Sequence, residues 1–144
     1  MTIVQGQTTR FKTDALSGLV NFAGTSYVYK VALYTANAEL NNSTATYTST
    51  TNEVLNGNGY TTGGKTLTVS TVPTGDTTNN VAYISFDPVV WIGASFTCRG
   101  ALIYNSTTNA TVAVLNFGSD KTTTNTFTLT FPTATSTTAV LTIS

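Results

Sequence analysis

The chain has no histidine, a single cysteine and very little charge, and each shortage excludes a class of function. Without histidine, neither a Ser-His-Asp triad nor a His-containing zinc site can be assembled. Cys98 has no partner for an internal disulfide, so the fold is not cross-linked in that way. Charged residues make up 8% of the 144 residues and the formal net charge is zero. We therefore expect no basic surface for nucleic acid or an anionic membrane.

The carboxylates are too few and too scattered to indicate an active site. Each has a simple explanation on a helix face, in a turn or before a proline, and the six are Asp14, Glu39, Glu53, Asp76, Asp87 and Asp120. A carboxylate pair for glycoside hydrolysis is the one catalytic arrangement that composition leaves open. No Asp-x-Asp run indicates a calcium site. The sequence thus predicts no catalytic residue, no metal and no cofactor, and an unusual hydrolase is the least favoured alternative.

Long apolar runs are also missing. The start, Met1-Thr2-Ile3-Val4-Gln5, has neither the basic head nor the apolar stretch of a signal peptide, and no segment is long enough for a membrane span. These features favour a protein that is made in a cytoplasm and acts without a membrane.

Threonine is what the chain has in abundance, at 34 of its 144 positions. It alternates with apolar residues in short segments such as 126–131, and this period of two places hydroxyls on one face of a sheet and apolar side chains on the other. The sequence predicts one all-β domain over residues 1–144, an antiparallel β-sandwich or jelly roll of seven or eight strands. A single short helix is predicted from about Thr9 to about Leu19, capped by Thr8 or Thr9.

The pattern also assigns individual strands and turns. The segment 27–35 is apolar on both faces and is predicted to be a central strand covered on both sides. Residues 36–52 are predicted to form a long loop. The segments 94–104 and 110–117 form the clearest hairpin. Turns are predicted at Pro73-Thr74-Gly75-Asp76 and at Asn79-Asn80, and a connection is predicted to begin at Gly118-Ser119-Asp120-Lys121.

A surface with so little charge favours self-association, and three parts of the sequence are candidates for contacts with a partner. Residues 1–8 are interpreted as an extended arm, in which Thr2, Ile3, Val4 and Gln5 would reach a neighbouring subunit. Trp91 is either a core residue, which is the commoner place for tryptophan, or an exposed anchor for a partner. Arg99, one of two arginines, is either a solvated side chain or a contact between subunits.

Several stretches carry a family resemblance: Tyr29-Lys30-Val31-Ala32-Leu33-Tyr34-Thr35, Thr51-Asn52-Glu53-Val54 with Gly57-Asn58-Gly59-Tyr60-Thr61, Arg99-Gly100-Ala101-Leu102-Ile103-Tyr104-Asn105, and Val112-Ala113-Val114-Leu115-Asn116-Phe117-Gly118. Together they resemble small structural proteins of tailed bacteriophage virions, close to capsid cement or decoration proteins. The resemblance covers residues 29–131 and consists of strand and turn patterns. It implies a coat accessory assembled in the cytoplasm of the infected bacterium and repeated many times in the virion.

The resemblance and the composition together predict that the chain binds the major capsid protein or another virion protein, as a homo-oligomer or as lattice-repeated copies. The first alternative is a receptor- or carbohydrate-binding module on a tail or fibre, in which exposed tyrosines from the set Tyr27, Tyr29, Tyr34 and Tyr104 form the platform. The second alternative is a structural component of the neck or tail.

Overall fold

The computed structural model describes residues 2–144 and is an all-β fold with antiparallel sheets and one short helix, which confirms the predicted fold class. The helix α1 spans Thr9–Leu16, and a 3-10 helix spans Tyr47–Ser49. The strands are β1 (Gly6–Gln7), β2 (Tyr29–Tyr34), β3 (Lys65–Thr66), β4 (Val69–Asp76), β5 (Val81–Phe86), β6 (Val89–Ile92), β7 (Phe96–Asn105), β8 (Thr111–Thr123), β9 (Thr126–Leu129) and β10 (Leu141–Ile143).

The strands form one large sheet and two small ones. The large sheet has the order β1-β8-β7-β2-β3, and the small sheets are β10-β5-β4 and β6-β9. Apolar side chains from the large sheet pack against those from both small sheets in one continuous core, which contains Val31, Ile103, Phe86, Trp91 and Leu129. We call this the sandwich core, because it lies between two layers of strands.

The central strand β2 is covered on both faces, as its sequence predicted. Val31 and Leu33 point into the sandwich core, and Ala32 and Tyr34 point to the opposite side of the sheet; all four are fully buried. Such double coverage explains why the strand has no polar alternation.

The cover on the opposite side is made of irregular chain. Ala38 and Leu40 from the connection between β2 and β3, together with Ile3 from the N-terminal segment, pack on Leu102 and Val114 of the large sheet. We call this second cluster the outer core. It shows that the long loop predicted at residues 36–52 is a structural layer.

The helix begins as predicted but ends earlier. Thr8 caps it by accepting a hydrogen bond from the Phe11 N–H at 3.1 Å, and Phe11 is buried in the sandwich core. Gly18 adopts a φ of 75°, which suits glycine and ends the helical path two residues after Leu16. The predicted end at Leu19 was therefore three residues too late.

Two predicted turns are strand segments in the structure. Residues 73–76 belong to β4, whose pairing with β5 shifts between Thr71 and Thr74. Pro73 lies within this irregularity, where it need not donate a ladder hydrogen bond. The other turn, predicted at Asn79-Asn80, is confirmed at residues 77–80, where Asn80 has a φ of 58°.

Residues 118–121 belong to β8, and residues 117–120 form a bulge against β7. Between the pairs Cys98–Lys121 and Gly100–Asn116, β8 advances five residues (121 − 116) while β7 advances two (100 − 98). Gly118 has a φ of 79° inside the bulge. Glycine with a positive φ occurs both in turns and in bulges, so the sequence pattern alone does not distinguish them.

Candidate functional site

Ionisable and hydrogen-bonding side chains converge most densely around Glu53. Its carboxylate accepts hydrogen bonds from the Tyr47 hydroxyl at 2.6 Å, the Tyr60 hydroxyl at 2.6 Å and the Gly63 N–H at 2.7 Å. The Tyr104 hydroxyl donates to the Gly63 carbonyl at 2.7 Å, and its ring stacks on that of Tyr47 with 4.3 Å between centroids. We call Glu53, Tyr47, Tyr60, Gly63 and Tyr104 the Glu53 cluster.

Backbone pairing along the edge of β2 places this cluster. The Val54 N–H donates to the Leu33 carbonyl at 2.9 Å, and the Thr35 N–H donates to the Asn52 carbonyl at 3.0 Å. Glu53 is therefore held between two bonds to the same strand. The neighbouring turn depends on Gly64, which has a φ of 76° and where an added Cβ would lie 1.8 Å from the Val31 carbonyl oxygen.

The tyrosines of the cluster are held in their protonated state. Burial, followed by the nearby Glu53 charge, raises the pKa of Tyr104 to about 12. Burial and the hydrogen bond to Glu53 raise the pKa of both Tyr47 and Tyr60 well above the usual value. Because both hydroxyls remain donors, the three bonds to the carboxylate persist over the physiological pH range. The cluster is arranged to fasten chain segments to each other.

The arrangement offers little for catalysis or metal binding. Within residues 2–144, no group of three or more His, Cys, Asp or Glu side chains could hold a metal ion. Cys98 is fully buried, and burial raises the pKa of its thiol to about 12, so it is not an activated nucleophile. The Glu53 carboxylate already accepts three donors and has no second carboxylate in the cluster.

The predicted N-terminal contacts lie against the chain's own sheet. Ile3 is buried in the outer core, and the Val4 N–H donates to the Leu40 carbonyl at 2.8 Å. The Gln5 side chain accepts the Asn116 N–H at 3.0 Å, and Thr2 accepts the Leu40 N–H through its carbonyl at 3.0 Å. Residues 2–5 are thus not a free arm in this structure, because Ile3 is buried and the segment is hydrogen-bonded to the chain's own residues, although the Val4 side chain is 50% exposed. Met1 lies outside the described residues.

Trp91 lies in the sandwich core and is 1% exposed. Its ring packs beside Phe127 and Tyr60, with centroid distances of 5.8 and 6.4 Å. Its Nε1 has no hydrogen-bond partner within residues 2–144. Trp91 is therefore a core residue, the first of its two predicted roles, and its indole ring is not exposed to a partner.

Arg99 is partly exposed and pairs with Asp120 across the bulge. Its Nε lies 2.9 Å from the Asp120 Oδ1, and the two side chains are 36% and 52% exposed. An ion pair this open to solvent contributes little to stability. A contact between subunits through Arg99 stays a prediction.

The tyrosines predicted as a carbohydrate platform are mostly inside. Tyr29, Tyr34 and Tyr104 are at most 5% exposed, and Tyr27 is half-buried with its ring edge towards Tyr29. A sugar-binding platform needs two exposed rings side by side, and these residues do not supply one.

The outward face of the β6–β9 sheet carries two valine or isoleucine side chains and two threonines, and the Lys65 ammonium donates to the Val90 carbonyl at 2.7 Å. Val90 and Ile92 alternate with the buried Val89 and Trp91, and Ile92 is 78% exposed. On the partner strand, Thr128 pairs with Val90 and Thr126 pairs with Ile92, all on the outward side. We call Val90, Ile92, Thr126 and Thr128 the β6–β9 face. An exposed apolar patch of this kind is typical of a surface that meets a partner.

Sequence reasoning missed both the Glu53 cluster and the β6–β9 face. The face had a signal, since Val89-Val90-Trp91-Ile92 alternates with Trp91 on one side and Ile92 on the other once the segment is taken as a strand. The Glu53 cluster had none, because its members come from positions 47 to 104 and only the fold brings them together.

The fold defines an all-β, sandwich-like protein, and hydrogen bonds between side chains hold the irregular layer on the second face of its large sheet. Comparison with protein-family models, curated proteins and solved structures finds no match to this chain. Within the same residues, no helix is long and apolar enough to cross a membrane.

Proposed function

We propose that this chain is a structural protein of a bacteriophage virion, a capsid cement or decoration protein that binds and stabilises neighbouring coat subunits. The observation that carries the proposal is the β6–β9 face, an exposed sheet surface of valine, isoleucine and threonine, with the Lys65 ammonium bonded to the Val90 carbonyl at 2.7 Å. The low overall charge and the strand and turn resemblance described above support it further.

The β6–β9 face suits a contact that is weak in each copy and strong in the assembly. Ile92 and Val90 would lose water against an apolar surface of the coat subunit, and the threonine hydroxyls beside them would bond at its rim. A lattice holds many such contacts at once, so avidity provides the strength. The partner would be the major capsid protein or another virion protein, and neither nucleic acid nor a membrane takes part.

The proposal is tested on particles assembled with variant chains. Ile92→Lys places a charge on the most exposed apolar residue of the β6–β9 face, and we expect the occupancy of the chain on the particle to fall at least tenfold, which corresponds to about 1.4 kcal/mol. Leu55→Lys is the matched control, because Leu55 is 86% exposed and lies outside this sheet. Occupancy that is equal in the two variants would contradict the proposed contact.

Particle electron microscopy of the same samples tests the virion assignment itself. A cement protein would occupy the seams between coat subunits in many copies. Density at the neck or the tail would assign the chain to the alternative structural role, and a chain that co-purifies with no particle would overturn the proposal. Deleting residues 2–5 is a poor test, because Ile3 belongs to the outer core.

A further inference from the structure

Two Asn-Gly pairs follow each other in the connection between β2 and β3. They are Asn56-Gly57 and Asn58-Gly59, and all four residues are exposed. In an exposed Asn-Gly pair the glycine nitrogen can attack the side-chain amide of the asparagine, because glycine has no Cβ to obstruct the approach. The local sequence makes the two pairs similarly reactive, so a difference between them has to come from the fold.

The first pair is held by hydrogen bonds at both reacting groups. The Gly57 N–H donates to the Tyr60 carbonyl at 2.8 Å, and the Asn56 Oδ1 accepts the Thr62 N–H at 3.0 Å. The Gly57 nitrogen has to lose its hydrogen bond before it can act as a nucleophile, and the Asn56 side chain has to leave Thr62 to reach it. Both losses cost free energy, so the fold protects Asn56.

The second pair is held at neither reacting group. Among the hydrogen bonds of residues 2–144, none involves the Gly59 N–H or the Asn58 side chain. The Asn58 backbone carbonyl does accept the Ser95 N–H at 2.8 Å. One hydrogen bond to the carbonyl is therefore all that fixes the peptide group between Asn58 and Gly59.

The second pair also forms a hairpin turn that can bring the reacting atoms together. Gly57 and Tyr60 exchange backbone hydrogen bonds of 2.8 and 3.0 Å, and φ is 52° at Asn58 and 86° at Gly59, as a type I′ turn requires. Rotation of the central peptide converts a type I′ turn into type II′, in which ψ of the first central residue is about −120°. At that ψ the Gly59 nitrogen lies next to the Asn58 Cβ and can reach the Cγ.

This rotation separates the two pairs. It breaks the bond from Ser95 to the Asn58 carbonyl, but both turn types keep the backbone bonds between Gly57 and Tyr60. The Gly57 nitrogen thus stays engaged while the Gly59 nitrogen attacks. The folded chain can react at Asn58 without releasing Asn56.

From this geometry we propose that Asn58 is a site of spontaneous deamidation in the folded protein. The Gly59 nitrogen forms a bond to the Asn58 Cγ, the bond from Cγ to Nδ2 breaks, and ammonia leaves with the proton of the Gly59 nitrogen. Water then opens the resulting succinimide at either carbonyl, which gives aspartate or isoaspartate. The product adds one negative charge to a chain whose formal net charge is zero. This modification site is independent of the proposed virion role.

Peptide mapping by mass spectrometry, after incubation in mildly alkaline buffer, tests the site. In the folded chain Asn58 should deamidate at least about fivefold faster than Asn56, the factor that one hydrogen bond supplies. In urea the two rates should become similar, because only the fold distinguishes the pairs. Equal rates in the folded chain, a faster reaction at Asn56, or no reaction at Asn58 over a period in which the unfolded chain reacts fully would overturn the proposal.

Two variants test the assignment to Asn58. Asn58→Gly removes the amide and keeps the turn, because glycine suits a φ of 52°, and it should lose most of the isoaspartate that the unaltered chain forms. Asn56→Ser is the matched control, because its hydroxyl can still accept the Thr62 N–H, and it should form isoaspartate at the unaltered rate. Labelling with an isoaspartate-specific methyltransferase measures both, and thermal unfolding checks that they are folded. Unchanged isoaspartate in Asn58→Gly would overturn the assignment.

Discussion

The two faces of the large sheet are buried by different means. Among the described residues, the sandwich core has 20 buried side chains and is closed by strands of the two small sheets, whereas the outer core has 8 and is closed by irregular chain. Strands satisfy their backbone groups in ladders, but an irregular segment has no ladder partner of its own. The outer layer therefore needs side chains to complete its hydrogen bonds.

The side chains that serve this purpose are threonine, tyrosine and Glu53. The buried Thr111 hydroxyl donates to the Thr8 hydroxyl at 3.1 Å, and the Tyr34 hydroxyl bonds to that of Thr50 at 2.7 Å. The Glu53 cluster adds three more bonds. The face covered by the sandwich core thus depends on buried apolar area, whereas the face covered by the outer core depends on a few hydrogen bonds.

The largest expected effect comes from the sandwich core. Trp91→Ala removes the largest side chain in it, and we expect a loss of about 3–5 kcal/mol in the free energy of unfolding. Chemical denaturation followed by far-UV circular dichroism measures it. Ile92→Ala is the matched control, because Ile92 follows Trp91 on the same strand and its side chain points outward. Its loss in the free energy of unfolding should stay within about 0.5 kcal/mol. Equal losses in the two variants would mean that the strand register is wrong.

The outer layer should respond most to Glu53. Glu53→Ala leaves three donors without their acceptor. We expect the free energy of unfolding, measured by chemical denaturation, to fall by about 2–3 kcal/mol. Glu53→Gln should lose less, because its carbonyl still accepts from Tyr60 and Gly63 while the Tyr47 hydroxyl can turn to accept from the amide.

Hydrogen exchange then shows where the Glu53 effect falls. In Glu53→Ala, faster exchange should be confined to residues 36–64 and their contacts and should spare β5 and β9. Glu39→Ala, at an exposed residue of the same connection, is the control and should change neither stability nor exchange. Faster exchange spread evenly over both layers would refute the separate role of the outer layer.

Alkaline pH should weaken the protein partly through Tyr104 of the outer core, alongside buried groups of the sandwich core such as Cys98. The pKa of Tyr104 is raised from the usual 10 to about 12, so its contribution is fully present below pH 10 and is lost as the pH rises towards 12. At pH 11 this loss is about 1.4 kcal/mol for one tyrosine. Tyr104→Phe should be less stable at neutral pH by about 1 kcal/mol, because it lacks the bond to Gly63, but it should lose less between pH 9 and 11. Denaturation midpoints at the two pH values measure this, and a parallel decline in both proteins would exclude Tyr104 as the source.

The smallest effect is expected at the solvent-exposed ion pair across the bulge. Arg99→Gln or Asp120→Asn should each change the free energy of unfolding by less than about 1 kcal/mol, and the difference should shrink further in high salt. A double-mutant cycle measured by denaturation isolates the pair. A coupling energy well above this value would mean that the pair holds the bulge in place.

The fold class could be predicted because alternation in β7 and β8 and double-sided apolarity in β2 follow directly from which side chains meet water. The helix start at Thr8 was also predictable, since its hydroxyl has a local partner in the Phe11 N–H. Boundaries were less predictable. The β8 bulge and the irregular β4 use glycine and proline in the same way that turns do, and only the partner strand decides between them.

The candidate sites could be predicted only where they are local. The outward position of Ile92 follows from the inward position of Trp91 on the same short strand. The Glu53 cluster, in contrast, depends on contacts between residues 47, 53, 60, 63 and 104, which no periodicity connects. The N-terminal segment was predicted as an extended arm, and the burial of Ile3 in the cluster with Leu40 and Val114 could not be foreseen from the local sequence.

The bulge at residues 117–120 also has an evolutionary consequence. These residues stand between two paired stretches of β7 and β8 and take part in neither register. Insertions or deletions of a residue at 118–120 would leave both stretches aligned and would spare Phe117, which packs against the sandwich core. Related sequences should therefore differ in length at this bulge, although it lies in the middle of a strand, where insertions and deletions are otherwise uncommon.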